Sequence, residues 1–544
     1  MNPKEILNFC IERGFLIDNE VLNLFNETED LETVKLIIGK INEHTPKKII
    51  TKEIFYQNKE KVSEVLSRFP KENKGLEKLK IKLGLSIEIS RQKVKSLATS
   101  YDVSQNEQDI ISEKLDEDEE INCVKVLSMS NTLGKKLDTK SFVNYFRGRF
   151  NEMKNSLQEH SELGNLVSIN KISGKGQGTS ILGIVYDKRI TKNKNIIFEV
   201  EDLTGKIKVL VNQNKQELYK KAEDITLDSV IGVKGSGNNE ILFANNLFLP
   251  DSFLLERKKS PVEESVLFIS DVHVGSKNFL EKSFLKFIDY LNGKVPNTPE
   301  AAKIKYLFVV GDVIAGVGCY PNQEEDLEIV NIEEQYSRAA ELFGKIRKDI
   351  QIIILPGNHD CVRLMEPQPI LDEKYAWPLH DLKNVILTTN PSLVNIGGKK
   401  NFPGFDVLSY HGFSFPYYAN NVPSLIIDKA IKFPDKIMTY LLKQKHLAPT
   451  HASVQYYPSE KDSLMIKKTP DIFVSGHTHK TGASYYNNIL VISNSCWEHL
   501  MPYQEKMGFE ADFCKVPMFN LKTRKVKILD FYEDGENEPI MLNN

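Results

Sequence analysis

With 544 residues, 41% of them hydrophobic and 27% charged, the chain has the composition of a soluble globular protein and room for three or four domains. A net charge of −3 excludes binding of nucleic acid through overall basicity, so any such contact must come from a local patch or a partner. No apolar run is long enough to span a membrane, and the opening MNPKEILNFCIERGF lacks the charged-then-apolar pattern of a secretory leader. Six scattered cysteines with no CxxC pair, Cys319 and Cys361 among them, predict buried, reduced thiols and a cytoplasmic setting.

Residues 1–84 read as a small helical domain. Ile6, Leu7, Cys10 and Ile11 recur at helical spacing, followed by Val21, Leu22, Leu24 and Phe25 and then Leu31, Val34, Ile37 and Ile38. Over 85–137 the pattern dissolves, and the acidic stretch SQNEQDIISEKLDEDEE predicts a flexible linker. Residues 138–255 open with a helix over 138–160. Strands are predicted at Ile181 to Tyr186, Asn195 to Glu201, Lys206 to Val211, Val230 to Lys234 and Glu240 to Leu247, with a helix over Gln213 to Ala222. Five strands with a helix before the fourth resemble an OB-fold β-barrel. Lys188, Arg189, Lys192, Lys194, Lys206 and Lys208 lie on or beside these strands with few aromatics. Both a weak DNA contact and a subunit-binding role fit.

Residues 256–544 carry five short polar strings: SDVHVG (Asp271, His273), VVGDV (Asp312), PGNHD (Asn358, His359, Asp360), YHGF (His411) and SGHTH (His477, His479). Each follows an apolar run of the length and composition of a buried strand, beginning with Val266 to Ile269 and Tyr306 to Val310. Helices are predicted between them, at Phe279 to Asn292 and Ile332 to Lys348, and a hairpin at Pro517 to Phe531. Glycine beside nearly every polar residue permits sharp turns and close backbone approach. Clustered carboxylate, imidazole and amide groups at strand ends suit a shared divalent-metal site.

The strings resemble those of the calcineurin-like metallophosphoesterase superfamily. The resemblance implies an α/β layered domain, a β-sandwich flanked by helices, preceded here by the OB-fold barrel and the N-terminal helical domain. It assigns Asp271, His273 and His479 to a first metal, and Asn358, His411 and His477 to a second. Asp312 would bridge both, and His359 would stabilise or protonate the leaving oxygen. Two divalent ions are implied, with Mn²⁺ favoured and Fe or Zn²⁺ compatible with the same ligands. Many members carry a second Asp three residues after the bridging one; here that position is Ala315. Arg363, four residues beyond His359, is a candidate for gripping a phosphate, or a surface ion pair. Phe413, Phe415, Tyr417, Tyr418, Tyr456 and Tyr457 are candidates for stacking on nucleotides, or for packing a lid or subunit surface.

Over roughly 266–500 the match narrows. GVGCYPNQ (Gly316 to Gln323), EPQP (Glu366 to Pro369) and NSCWE resemble the small, B-type subunits of archaeal family-D DNA polymerases. This resemblance implies a metal-dependent 3′→5′ DNA exonuclease that proofreads, paired in a heterodimer with a large catalytic subunit and associated with the nucleoid. DNA 3′ ends, single-stranded or mismatched, would be its substrate. A sliding clamp or another replication protein is a candidate partner, with the N-terminal helical unit a candidate docking module. A catalytically silent scaffold and a stand-alone phosphoesterase are the alternatives.

Overall fold

The computed structural model describes residues 124–129, 136–172, 178–459, 461–500, 508 and 510–533, together with short stretches of the first 93. Two compact units divide the chain, 1–90 and 91–544. In the first, the helix Pro3–Glu12 buries Ile6 and Cys10, while Leu7 and Ile11 on its other side are exposed. Val21, Phe25, Val34 and Ile38 are also buried, and Leu16–Ile17 pairs in parallel with Ile49–Ile50. Most of the predicted acidic linker lies outside the described residues.

The second unit begins with a departure from expectation. Val124–Met129, inside the segment read as a linker, is a strand paired antiparallel with Ser392–Ile396. The helix Thr139–Gln158 follows. Its first turn is closed by Asp138, which accepts from the Ser141 N–H at 2.8 Å in a capping box. The strands Thr179–Ile190, Ile196–Glu201, Lys206–Val211, Val230–Gly237 and Ile241–Phe248 form a closed barrel. The third pairs in parallel with the fifth, and the helix Gln216–Asp224 lies before the fourth. Alternating residues such as Ile196, Phe198 and Val200 fill the interior.

The barrel and the helix are anchored to the remainder by polar contacts. Tyr440 donates to the Asp224 carbonyl at 3.0 Å, and the His451 N–H donates to Asp228 at 2.8 Å. Arg149, on the helix, is 1% exposed and pairs with Asp462 at 2.8 Å. Asp462 also accepts from Tyr145 at 2.8 Å and lies 2.7 Å from His446.

Two mixed sheets make the larger domain. In one, Val385–Leu387, Gln351–Leu355, Ile304–Val310 and Ser265–Ile269 run parallel in that order, and the hairpin Lys515–Asn520 and Val526–Asp530 extends it antiparallel. In the other, Phe405–Ser409, Ile472–Ser475 and Ile489–Ser493 are parallel, flanked by antiparallel Ser392–Ile396 and Gly482–Tyr486. Phe405 of one sheet meets Phe519 of the other with ring centroids 6.1 Å apart. Leu267, Ile269, Leu307 and Ile352 pack against helices Glu281–Leu291 and Ile332–Gly344. Leu408, Phe473 and Val491 pack with Pro434–Gln444. Each sheet is therefore covered by helices, as continuous apolar strands require. Among the described residues, no helix is long and apolar enough to cross a membrane.

Candidate metal centre

All five polar strings lie just beyond the C-terminal ends of parallel strands, so topology alone carries them to one edge of the sandwich. The chain turns there in an uncommon way. Asp271, His273, Asp312, His477 and His479 all have positive φ, between 50° and 66°. Such backbone is unfavourable for residues with a Cβ, and clusters of it mark functional sites. The glycines are also required for close approach. A Cβ on Gly311 would collide with the His411 ring, one on Gly357 with the Asp312 carboxylate, and one on Gly476 with Asp271.

The side chains converge. Asp271, His273 and His479 bring ligand-type atoms within 4.8 Å of one another; so do Asp312, His411 and His477, and so do His273, Asp312 and His359. His479 Nε2 lies 3.3 Å from Asp271, and His411 Nε2 lies 3.2 Å from Asp312 and 3.1 Å from Asn358 Oδ1. His411 Nδ1 faces the Val310 carbonyl at 2.9 Å, which leaves Nε2 as its inward nitrogen. His359 is held at both ends. Its N–H donates to Asp312 at 2.8 Å, and its Nδ1 meets the Ala315 carbonyl at the same distance. Thus the position where a second Asp was expected supplies a backbone acceptor to His359.

The centre fits divalent cations. His273 Nε2 is buried with no hydrogen-bond partner, as an unused ligand atom would be. Burial and neighbouring His411 push His477 down to about 3, and burial lowers His273, so both present neutral lone pairs. For His411, burial is outweighed by Asp312 and Asp271, which raise it to about 9. Burial works against both carboxylates, yet the surrounding histidines hold Asp271 at about 2 and Asp312 well below its ordinary value. Nitrogen and oxygen donors without thiolate suit Mn²⁺, Fe or Zn²⁺.

Other expectations are redistributed. Arg363 donates to the Pro367 carbonyl at 2.7 Å and lies over Tyr457, so its guanidinium is part of a wall. Phe415 and Tyr418 are fully buried, and Tyr456 stacks on Tyr145 at 4.7 Å. Phe413 instead reaches the centre, 5.4 Å from His477, and remains partly exposed. In the barrel, Lys188 is turned inward to the Glu223 and Ile225 carbonyls, and Lys206 covers the Tyr186 ring. Against expectation, Cys319 is exposed and Cys361 only half-buried.

Sequence reasoning gave no role to Asp360, although it stands in the PGNHD string. Its buried carboxylate accepts from Gly357 at 2.8 Å and Val313 at 3.2 Å, tying the turn that carries Asn358 to the loop after Asp312. Glu498, in the NSCWE string, lies 3.5 Å from His273. Asn390 accepts from the His411 N–H at 3.0 Å; it has no signal in the sequence.

The calcineurin-like phosphoesterase family matches residues 265–481, so sandwich and centre together define a domain of that class. Similarity extends well beyond this domain. The chain is 37% identical over 391 residues to the DNA polymerase II small subunit of Methanothermobacter thermautotrophicus, covering 71% of this chain and 78% of that one. To the small subunit of Pyrococcus furiosus it is 37% identical over 402 residues, covering 72% and 64% of the two chains. For that of Halobacterium salinarum the values are 34% over 401 residues, 72% and 75%. The chain belongs to the family of DNA polymerase II small subunits.

Proposed function

We propose that this small subunit is a metal-dependent 3′→5′ DNA exonuclease that proofreads for a large, polymerising partner subunit. The observation that carries the reading is the convergence of Asp271, His273, Asp312, Asn358, His411, His477 and His479 beside His359 at one sheet edge. Asp271, His273 and His479 would hold one divalent ion; Asn358, His411 and His477 a second; and Asp312 both. Bound ions would neutralise the phosphoryl oxygens and acidify the attacking water, with Mn²⁺ the favoured metal. His359 would serve the departing 3′ oxygen, its ring oriented by the Ala315 carbonyl and its backbone by Asp312.

The partner reading rests on the relatives, which are named small subunits of DNA polymerase II. The strand order of the barrel, its parallel third and fifth strands and the helix before the fourth favour an OB-fold. Lys188 is held by the Glu223 and Ile225 carbonyls, and the relatives are named small subunits, so a subunit-binding barrel is favoured over a DNA-binding one. Incubating the full chain, alone and with its large subunit, with Mn²⁺ and 5′-labelled single-stranded or mismatched primer–template DNA tests the reading. Stepwise shortening from the 3′ end is expected. Intact DNA in both cases would leave a metal-binding scaffold.

A further inference from the structure

His359 and Asn358 stand on a ridge between two cavities. On one side is the metal-centre cleft of 540 Å³, which His273, Asp312, His477 and His479 also line. On the other is an 850 Å³ lobe walled by Val317, Cys319, Leu364, Ile370 and Phe413. None of the seven residues assigned to the metals lines this second lobe except Asn358 on the ridge. Leu364, 50% exposed, and the partly exposed ring of Phe413 at the junction with the centre give it apolar faces, while Asp360, Asp372, Glu373 and His380 line the rest of its wall. Arg363 bounds it while bonded to the Pro367 carbonyl.

Such an arrangement divides a substrate at the scissile bond. In hydrolysis of a 3′-terminal linkage, a bond forms between water oxygen and phosphorus, and the bond from phosphorus to the 3′ oxygen breaks. The proton passes to that oxygen, leaving a nucleoside 5′-monophosphate and a strand with a free 3′ hydroxyl. The phosphoryl group and its nucleoside stay on the metal side. The 3′ oxygen, beside His359, carries the rest of the strand away from it. We propose that the 850 Å³ lobe is the strand-side subsite, taking the penultimate nucleotides of single-stranded DNA with their bases against Phe413 and Leu364. An apolar and aromatic face offers every base the same contact and so accepts any sequence, as an end-trimming enzyme needs. A paired duplex end must fray to enter it, which selects mismatched termini. This inference rests on the nuclease reading above.

The natural thiols provide the test. Cys319 lines the lobe and is exposed, whereas Cys496 and Cys514 are buried. Alkylation of the full chain by N-ethylmaleimide, read by mass spectrometry, is compared with and without a single-stranded phosphorothioate oligonucleotide in Mn²⁺. The oligonucleotide is expected to suppress modification of Cys319, and thymidine monophosphate, which fills only the metal-side cleft, is not. Leu364→Glu, a change on an exposed side chain, should remove that protection and raise KM for single-stranded DNA severalfold, because a carboxylate replaces the apolar face against which a base would lie and repels the strand's phosphates. DNA hydrolysis with Cys319 fully reactive and KM unchanged in Leu364→Glu would overturn the subsite while sparing the nuclease reading. Protection without hydrolysis by the wild type would keep the lobe as a DNA site and sink the nuclease. Neither protection nor hydrolysis would sink both.

Discussion

The N–H of His359 donates to Oδ1 of Asp312 at 2.8 Å, so the proposed leaving-group histidine and the proposed bridging carboxylate move as one unit. Gly357 makes this closeness feasible, because a methyl group at that position would strike the same carboxylate. Gly357→Ala is therefore expected to weaken Mn²⁺ binding by about 10–100-fold, the range typical of disturbed ligand orientation. Calorimetric titration with Mn²⁺ measures it. Wild-type affinity in this variant would mean that the Asp312 carboxylate is not held by the turn.

Asp360 ties the same two loops together from behind. It accepts from Gly357 and Val313, and burial together with the Asp312 charge raises it to about 7. Asp360→Ala leaves those N–H groups unpaired in the interior, at about 1–3 kcal/mol each. A fall in both thermal stability and Mn²⁺ affinity is expected. A variant that loses neither would assign the loop geometry to other contacts.

Metal binding should release protons. Asp312 and Asp271 outweigh burial to raise His411 to about 9, so at neutral pH its imidazole carries a proton that a cation must displace. Affinity for Mn²⁺ should accordingly fall as pH is lowered from 9 toward 6, and the apparent binding enthalpy should vary with the ionisation enthalpy of the buffer. Binding independent of both pH and buffer would contradict this description of the centre.

The buried cluster under the helix Thr139–Gln158 predicts acid sensitivity of a different origin. Burial and neighbouring Arg149 hold His446 down at about 4, against an ordinary 6.5. Burial opposes ionisation of Asp462, but His446 and Arg149 prevail and depress it. Both groups are depressed on folding, so the stability they confer is present at neutral pH and lost on acidification, first between about 6.5 and 4 through His446. Asp462→Ala, which leaves Arg149 buried without its partner, should cost about 3–5 kcal/mol. Urea unfolding followed by far-UV circular dichroism measures both effects. A midpoint unchanged between pH 7 and 5 would contradict the role given to His446.

The metal-ligand candidates were legible because each follows a buried strand and a glycine often sits beside it, a local pattern that parallel topology converts into proximity. Their left-handed backbone was not legible, since nothing local marks Asp271 or His477 as adopting it. Nor was the Arg149–Asp462 pair, whose members are 313 positions apart. Val124–Met129 escaped notice because a short strand of mixed polarity follows a long acidic stretch, and only Ser392–Ile396 gives it a partner. Nor does the sequence carry any sign that Lys188, one of six basic residues on or beside the barrel strands, turns back onto helix-end carbonyls.

Metal content and single-turnover hydrolysis of 3′-ended single-stranded DNA, measured together in wild type and His359→Ala, test the central claim most directly. Both proteins are expected to retain two equivalents of Mn²⁺, with the variant slower by about 10²–10⁴, the usual contribution of a proton-transferring side chain. A variant that cleaves at the wild-type rate, or that loses its metal, would contradict the division of labour between His359 and the residues around it.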